Sequence, residues 1–260
     1  MSKPPLEFSH ANGFPAPAYR AVFERLEDRY RIESIEAIGM DPQFPPTEGW
    51  KLLVAQLIGR LERHRKPVLA VGHSLGGYLS FLAAVRRPDL LRAVILLDAP
   101  IIGPVKGRLL GATKRFGIVD RVTPAGATRD RRSAWASLAE AERHFRTRRL
   151  FSSFAPECLR DYVRHGLAER DGALHLKIDP TIEYGIYRTI PHGMHRYLKH
   201  LRVPAGFIGG ADSDVVRRTG LAPMRGRFEF MKLPGGHLFP FEHPREAAQA
   251  IIEMAGRLGA

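Results

Sequence analysis

The sequence is short of the features that tie a chain to an oxidising compartment, a membrane or a metal. It has one cysteine, Cys158, in 260 residues. That excludes an internal disulfide and a small fold stapled together for export. Its longest apolar runs, such as residues 93–97, fall far below the roughly 20 residues that a membrane-spanning helix needs. The opening Met1-Ser2-Lys3-Pro4-Pro5 lacks the apolar core of a signal peptide. These lacks together lead us to expect a cytoplasmic protein with no stable membrane insertion. Cys, His and carboxylates do not cluster at zinc-ligand spacing, so neither a metal nor an organic cofactor is expected.

Acidic residues are also in short supply, with 27 Asp and Glu against 40 Lys and Arg and a formal net charge of +13. About 20 of the cations fall within residues 101–202, against about 10 acids there, so the excess belongs mainly to the middle of the chain. A basic surface can draw nucleic acid, anionic lipid or an acidic substrate. No nucleic-acid-binding motif accompanies the charge. The plain reading is a solvated, arginine-rich surface, with a small-molecule substrate as the expected partner and no nucleic acid. Oligomeric state is not readable.

What is present is a rhythm. Short apolar runs at residues 6–9, 68–71 and 93–97 read as strands, and 32–38 as a strand whose faces are unclear. Helical spacing covers 19–30 (Val22, Phe23, Leu26, Tyr30), 49–64 (Leu52, Leu53, Leu57, Leu61) and 74–86. This alternation predicts an α/β fold, a mainly parallel sheet with helices on both faces. After Pro100 the pattern becomes basic and mostly helical, with no clear buried strand before 173–178. Strands at 204–208 and 228–233 and an amphipathic helix over 244–258 then restore the rhythm. We therefore expect a core formed by residues 1–100 and 203–260, with 101–202 inserted as a mostly helical cap. No internal repeat or low-complexity tract is visible.

The most informative stretch is Val68-Leu69-Ala70-Val71-Gly72-His73-Ser74-Leu75-Gly76-Gly77. It reads as a strand, a Gly-x-Ser-x-Gly turn and a helix. A sharp strand-to-helix turn projects the Ser74 hydroxyl, and Gly72 and Gly76 lack the Cβ atoms that would collide there. The new helix aims its first amides at the site, so the Leu75 N–H can bind an oxyanion. An ordinary glycine-rich turn is the bland alternative, and the strand before and helix after argue against it.

On these residues the chain resembles the α/β-hydrolase superfamily, in its serine-nucleophile, esterase- and lipase-like branch. The resemblance spans nearly the whole core and is weakest in the cap. Ser74 stands where the dehalogenase and epoxide-hydrolase branches carry Asp. The resemblance implies a catalytic histidine on the loop after the last strand, which is His237 in Leu233-Pro234-Gly235-Gly236-His237. It also implies an acid after the penultimate strand, three residues beyond a glycine. In Gly209-Gly210-Ala211-Asp212-Ser213-Asp214, counting from Gly209 gives Asp212. Counting from Gly210 gives Ser213, which cannot serve, and Asp214 needs one more residue of slack. Some lipases of similar pattern place the acid after the strand that follows the nucleophile helix, and here that residue is Asp98. We favour Asp98 and keep Asp212 as the alternative; either follows the order Ser, Asp, His along the chain.

Ser9-His10-Ala11-Asn12-Gly13-Phe14-Pro15 resembles the superfamily's His-Gly-x-Pro loop, with Asn12 in the usual histidine position. That implies Phe14 N–H as a second oxyanion donor beside Leu75, with His10 and Asn12 holding the loop or lining the pocket. His73 is expected to pack, His243 to cap the last helix, and His192 and His195 to lie on the cap surface. The cap carries Arg129-Asp130-Arg131-Arg132 and further arginines over 143–149. Its aromatics, Trp135, Phe145, Phe151, Phe154, Tyr162, Tyr184 and Tyr187, read as core more readily than as a substrate box.

The resemblance thus implies a serine hydrolase acting on an ester or thioester. A basic cap would suit an anionic acyl donor, such as a carboxylated ester or a coenzyme A thioester. A carbon–carbon bond hydrolase or perhydrolase on the same fold, a non-catalytic ligand-binding protein and a basic interaction module are the competing readings.

Overall fold

The computed structural model describes residues 3–129 and 131–260, so Asp130 of the arginine-rich run lies outside the described residues. The chain opens with β1 (Pro5–Ser9), α1 (Arg20–Leu26), β2 (Arg31–Ser34), α2 (Lys51–Leu61), β3 (Val68–His73), α3 (Leu75–Arg86) and β4 (Leu91–Leu97). A long insertion follows: α4 (Pro104–Arg115), α5 (Val119–Val122), α6 (Ala125–Arg129), β5 (Ala134–Trp135), α7 (Leu138–Arg146), α8 (Pro156–His165), β6 (Leu167–Arg170), β7 (Ala173–Leu176) and α9 (Pro180–Arg188). It closes with β8 (Ala205–Gly210), α10 (Asp214–Thr219), β9 (Glu229–Leu233), α11 (Phe239–Glu242) and α12 (Pro244–Arg257).

Six strands form one parallel sheet in the order β2-β1-β3-β4-β8-β9. The period-two alternation of strand side chains explains the two-sided core. Leu69 and Val71 of β3, with Ala93, Ile95 and Leu97 of β4, pack on the face that carries Val22 of α1 and Ile251 of α12. Val68, Ala70, Val94 and Leu96 pack on the other face with Leu53 and Leu57 of α2 and Leu79 of α3. β1 lies between β2 and β3, so the chain reverses its direction of travel across the sheet there. Such a switch point leaves a crevice beyond the strand ends. No helix among the described residues is long and apolar enough to cross a membrane.

Several elements differ from the sequence reading at their ends. The helix expected over 19–30 stops at Leu26, and the strand expected over 32–38 stops at Ser34. The helix expected from Gly49 begins at Lys51, because Gly49 and Trp50 both take positive φ (71° and 58°). The insertion also holds a three-stranded antiparallel sheet, β5-β7-β6, that helical spacing did not suggest. Its hairpin turns at Asp171-Gly172, with φ of 50° and 75°. Two successive left-handed residues are what a two-residue primed turn needs, and Asp-Gly is a favoured pair for it.

Insertion and sheet are joined by aromatic packing. Phe241 is fully buried and stacks on Phe154, with centroids 4.9 Å apart and planes 5° from parallel. It also meets Phe14 at 5.1 Å and Tyr19 at 4.4 Å, while its carbonyl accepts Ala155 N–H at 2.9 Å. Trp135, Phe145, Phe151, Phe154 and Tyr162 all belong to this buried cluster. Truncating Phe241 to Ala opens a cavity at that joint. The expected loss is about 3–5 kcal/mol of unfolding free energy, read from urea denaturation of the variant beside the parent chain.

Candidate active site

The glycines around Ser74 are held to their identity by contact distance. A Cβ on Gly72 would lie 2.2 Å from the Gly76 carbonyl oxygen, and one on Gly76 would lie 1.9 Å from the Ser9 carbonyl oxygen. No side chain fits at either position. Ser74 itself is in a left-handed conformation (φ 51°, ψ −113°), sparsely populated for a non-glycine residue. Ser74 N–H donates to Leu97 O (2.9 Å) and Gly76 N–H to His10 O (3.1 Å), so the turn is clamped from both neighbouring strands.

His237 follows β9 and Asp98 follows β4. The imidazole Nε2 is 3.0 Å from Ser74 Oγ, and Nδ1 is 2.6 Å from Asp98 Oδ2. With a carboxylate as acceptor, Nδ1 carries the proton and Nε2 is left to accept from the serine hydroxyl. Asp98 is fully buried, with φ of 46°. Its N–H continues the ladder to Ile208 O (2.8 Å), and the left-handed turn then throws the carboxylate across the end of β8. There Oδ1 accepts Gly210 N–H (2.9 Å) and Oδ2 accepts Ser213 Oγ–H (2.5 Å).

The two other acids do not join this group. Asp212 is exposed and Asp214 is occupied with Arg217 and Arg218. Among the described residues neither makes a hydrogen bond or ion pair to His237. Ser213, excluded as an acid by its chemistry, instead donates to Asp98 and caps α10 by accepting Val216 N–H (3.1 Å).

The Phe14 expectation needs correction. Phe14 N–H donates to Ala11 O at 3.1 Å, closing a β-turn whose third residue, Gly13, has φ of 80°. That is the type II geometry which glycine permits, and it consumes the Phe14 amide. The Asn12 N–H has no acceptor among the described residues, and neither does Leu75 N–H at the first position of α3. Asn12 and Leu75 both line the cavity around Ser74 and His237.

Two further histidines brace the site in neutral form. His73 Nε2–H donates to His237 O (2.9 Å), so its Nδ1 must accept from Tyr19 Oη–H (2.7 Å), and that hydroxyl accepts Ala11 N–H (3.1 Å). One chain of hydrogen bonds thus runs from the turn after β1 to the backbone of His237. His10 Nδ1–H donates to Ala11 O (2.8 Å) and its Nε2 accepts Ile38 N–H (2.7 Å). Burial drives His73 down to about 3, with the nearby His237 adding to it, and burial drives His10 down to about 4. His243 occupies the position before α12, but its side chain makes no capping bond.

The cavity is about 770 Å³ and mostly apolar, walled by Trp50, Leu75, Tyr78, Leu110, Ile186 and Leu238 among others. Its walls come from both the sheet ends and the insertion. A separate group, Glu7, Glu33 and His64, brings carboxylates and an imidazole within 4.8 Å of one another. Arg60 supplies its cation, bonding Glu7 at 2.7 and 3.2 Å. None of these residues lines the Ser74 cavity.

The family model described as "Alpha/beta hydrolase family" matches residues 8–250. Among curated proteins, an abhydrolase domain-containing protein of Alternaria alternata, AFT2-1, is 26% identical over 230 residues, covering 73% of this chain and 83% of that one. A second from the same organism, ACTT2, is 27% identical over 161 residues, or 62% of this chain and 54% of its own length. Among solved structures, E-2-(acetamidomethylene)succinate hydrolase superposes with a TM-score of 0.79 at 20% identity, covering 98% of this chain and 92% of that one. A thioesterase domain from the curacin biosynthetic pathway gives 0.76 at 18% identity, covering 97% and 92%. At these identities the structural likeness is one of fold.

The neutral histidines set a pH dependence. Unfolded, both would titrate near 6.5, whereas folded they stay neutral down to about 3 and 4. The unfolded chain therefore binds more protons across that window, and stability falls as pH falls. Each histidine should account for roughly 2–3 kcal/mol of the loss between pH 7 and 4.5. Urea denaturation at the two pH values should show a smaller difference for His73→Asn and for His10→Asn than for the parent chain.

Proposed function

Because the chain belongs to the alpha/beta hydrolase family, we propose that it is a serine hydrolase cleaving an ester or thioester of a small organic substrate through an acyl-enzyme on Ser74. The observation that carries this reading is the unbroken hydrogen-bonded series Ser74–His237–Asp98, whose serine and histidine line the cavity. A non-catalytic binding protein would have no need of two left-handed residues, Ser74 and Asp98, at one site.

In this mechanism His237 Nε2 takes the proton of Ser74 as the oxygen attacks the carbonyl carbon. Asp98 holds the tautomer and stabilises the imidazolium that forms. Gly210 N–H and Ser213 Oγ–H fix the carboxylate that does so. The amides of Leu75 and Asn12 are free to bind the oxyanion. His237 then protonates the leaving group and activates water to release the acyl group. Residues 101–202 act as a cap over the cavity, contributing Leu110, Ile186 and Tyr187 to its wall. Neither metal nor cofactor has a step in this scheme. The single cysteine, buried and pushed up to about 12, is consistent with a cytoplasmic setting and an unreactive thiol.

A fluorophosphonate probe tests the reading. Labelling of the parent chain should be lost in Ser74→Ala and His237→Ala. Asp98→Asn should lower ester turnover by about 10³- to 10⁴-fold, while Asp212→Asn leaves it within about twofold. Turnover of a vinylogous diketone with esters untouched would replace the ester reading with carbon–carbon bond hydrolysis.

A further inference from the structure

One part of the cavity wall is out of character with the rest. Glu183 of α9 is 4% exposed, and its carboxyl lies against the turn after β1, where a Cβ on Gly13 would sit 2.8 Å from Oε1. Arg131 Nη2 approaches Glu183 Oε2 to 2.6 Å, as an ion pair without hydrogen-bond alignment. Asn12, 6% exposed, donates its Nδ2–H to Glu183 O (3.0 Å). All three residues line the cavity that holds Ser74.

Arg131 Nη2 and Glu183 Oε2 face each other in this ion pair. Two further polar atoms are buried with no hydrogen-bond partner among the described residues, a donor, Arg131 Nε, and an acceptor, Asn12 Oδ1. Buried polar atoms are almost always partnered, so a cluster left open on a cavity wall points to a ligand group. The charge of that group follows from the pair itself. Arg131 is already neutralised by Glu183, and Lys106 is spent on the Arg218 and Thr219 carbonyls at the end of α10. A carboxylate brought against Glu183 would leave one uncompensated negative charge in an apolar pocket. A purely apolar group would leave Arg131 Nε and Asn12 Oδ1 open.

We propose that Asn12, Arg131 and Glu183 form a subsite for a neutral substrate group that presents a hydrogen-bond acceptor and donor side by side, a carboxamide being the simplest. Its carbonyl accepts from Arg131 Nε–H and its N–H donates to Asn12 Oδ1. Asn12 supplies a free amide at the oxyanion side and this side chain together, so the carboxamide lies near the reacting carbonyl on the acyl part. The proposal rests on the serine-hydrolase reading of the same cavity, and it replaces the anionic substrate that the basic composition suggested with a neutral one.

The test compares ethyl succinamate, ethyl 4-methylpentanoate and monoethyl succinate, which carry a carboxamide, an apolar isostere and a carboxylate on acyl groups of similar size. The succinamate should exceed both others in kcat/KM by about 100-fold or more, since a site built to hydrogen-bond a group rejects analogues lacking it. Glu183→Gln leaves Arg131 unpaired, and the carboxylate-to-carboxamide ratio should rise at least about tenfold. Equal kcat/KM across the three esters, or a parent preference for the succinate, overturns the subsite while leaving the serine reading intact. Calorimetry on Ser74→Ala separates the two ideas further and needs no change at Glu183. Tighter binding of the succinamate than of the isostere upholds the subsite even if no ester is turned over; equal binding overturns it.

Discussion

The close approach of three backbone segments beneath Ser74 is the constraint on which the site depends. β1, β3 and the first turn of α3 come so near that Gly72 and Gly76 have no room for a Cβ. The hydrogen bonds Ser74 N–H to Leu97 O and Gly76 N–H to His10 O close the same knot from β4 and from the turn after β1. Within it Ser74 has no relaxed conformation available, and its hydroxyl points to the end of the sheet. The left-handed Asp98, on the neighbouring strand, is aimed at the same place. Strain at both residues is tolerable because a six-stranded sheet with both faces buried determines their positions.

Around this knot the polar groups are ordered by what they can accept. A backbone carbonyl fixes the tautomer of His73 and another fixes that of His10, and both rings stay neutral because they are buried. A carboxylate fixes the tautomer of His237, which is the ring left partly open to the cavity. The three histidines therefore differ by environment rather than by chemistry. Only His237 turns its lone pair to the hydroxyl of Ser74.

Much of this was readable from the residues. Gly72-x-Ser74-x-Gly76 between an apolar strand and an apolar helix carries its own steric reason, and the position of His237 between the last strand and the last helix is as plain. The acid was harder. Counting from Gly209 or Gly210 points to Asp212 or Ser213, whereas the carboxylate that meets His237 is that of Asp98, which reaches across the end of β8 at Gly210. Phe14 failed for a reason visible only in three dimensions. Its amide closes the turn that Gly13 makes possible, which moves the free amide to Asn12. The Asp171-Gly172 turn went unread amid the basic, helix-like composition around it, although Asp-Gly is a favoured pair for a two-residue hairpin turn. Glu183 was not legible at all, because a lone glutamate in an amphipathic helix carries no sign that it will meet Asn12 across 171 positions of chain.

The insertion point has a consequence for how the chain folds. β4 and β8 are adjacent in the sheet, yet their register partners lie 111 positions apart in the chain, Val94 pairing with Ala205 and Leu97 with Ile208. Asp98 stands at the near end of that long loop, and His237 lies beyond its far end. Closing so long a loop has a large entropic cost before any contact rewards it. The turn bearing Ser74 needs only segments within the first 97 residues, but the carboxylate and the imidazole meet only when the whole middle of the chain has been gathered in. The hydrogen-bond series draws on segments from both ends of that loop, so an intact site is a sign that the entire chain has reached its final arrangement.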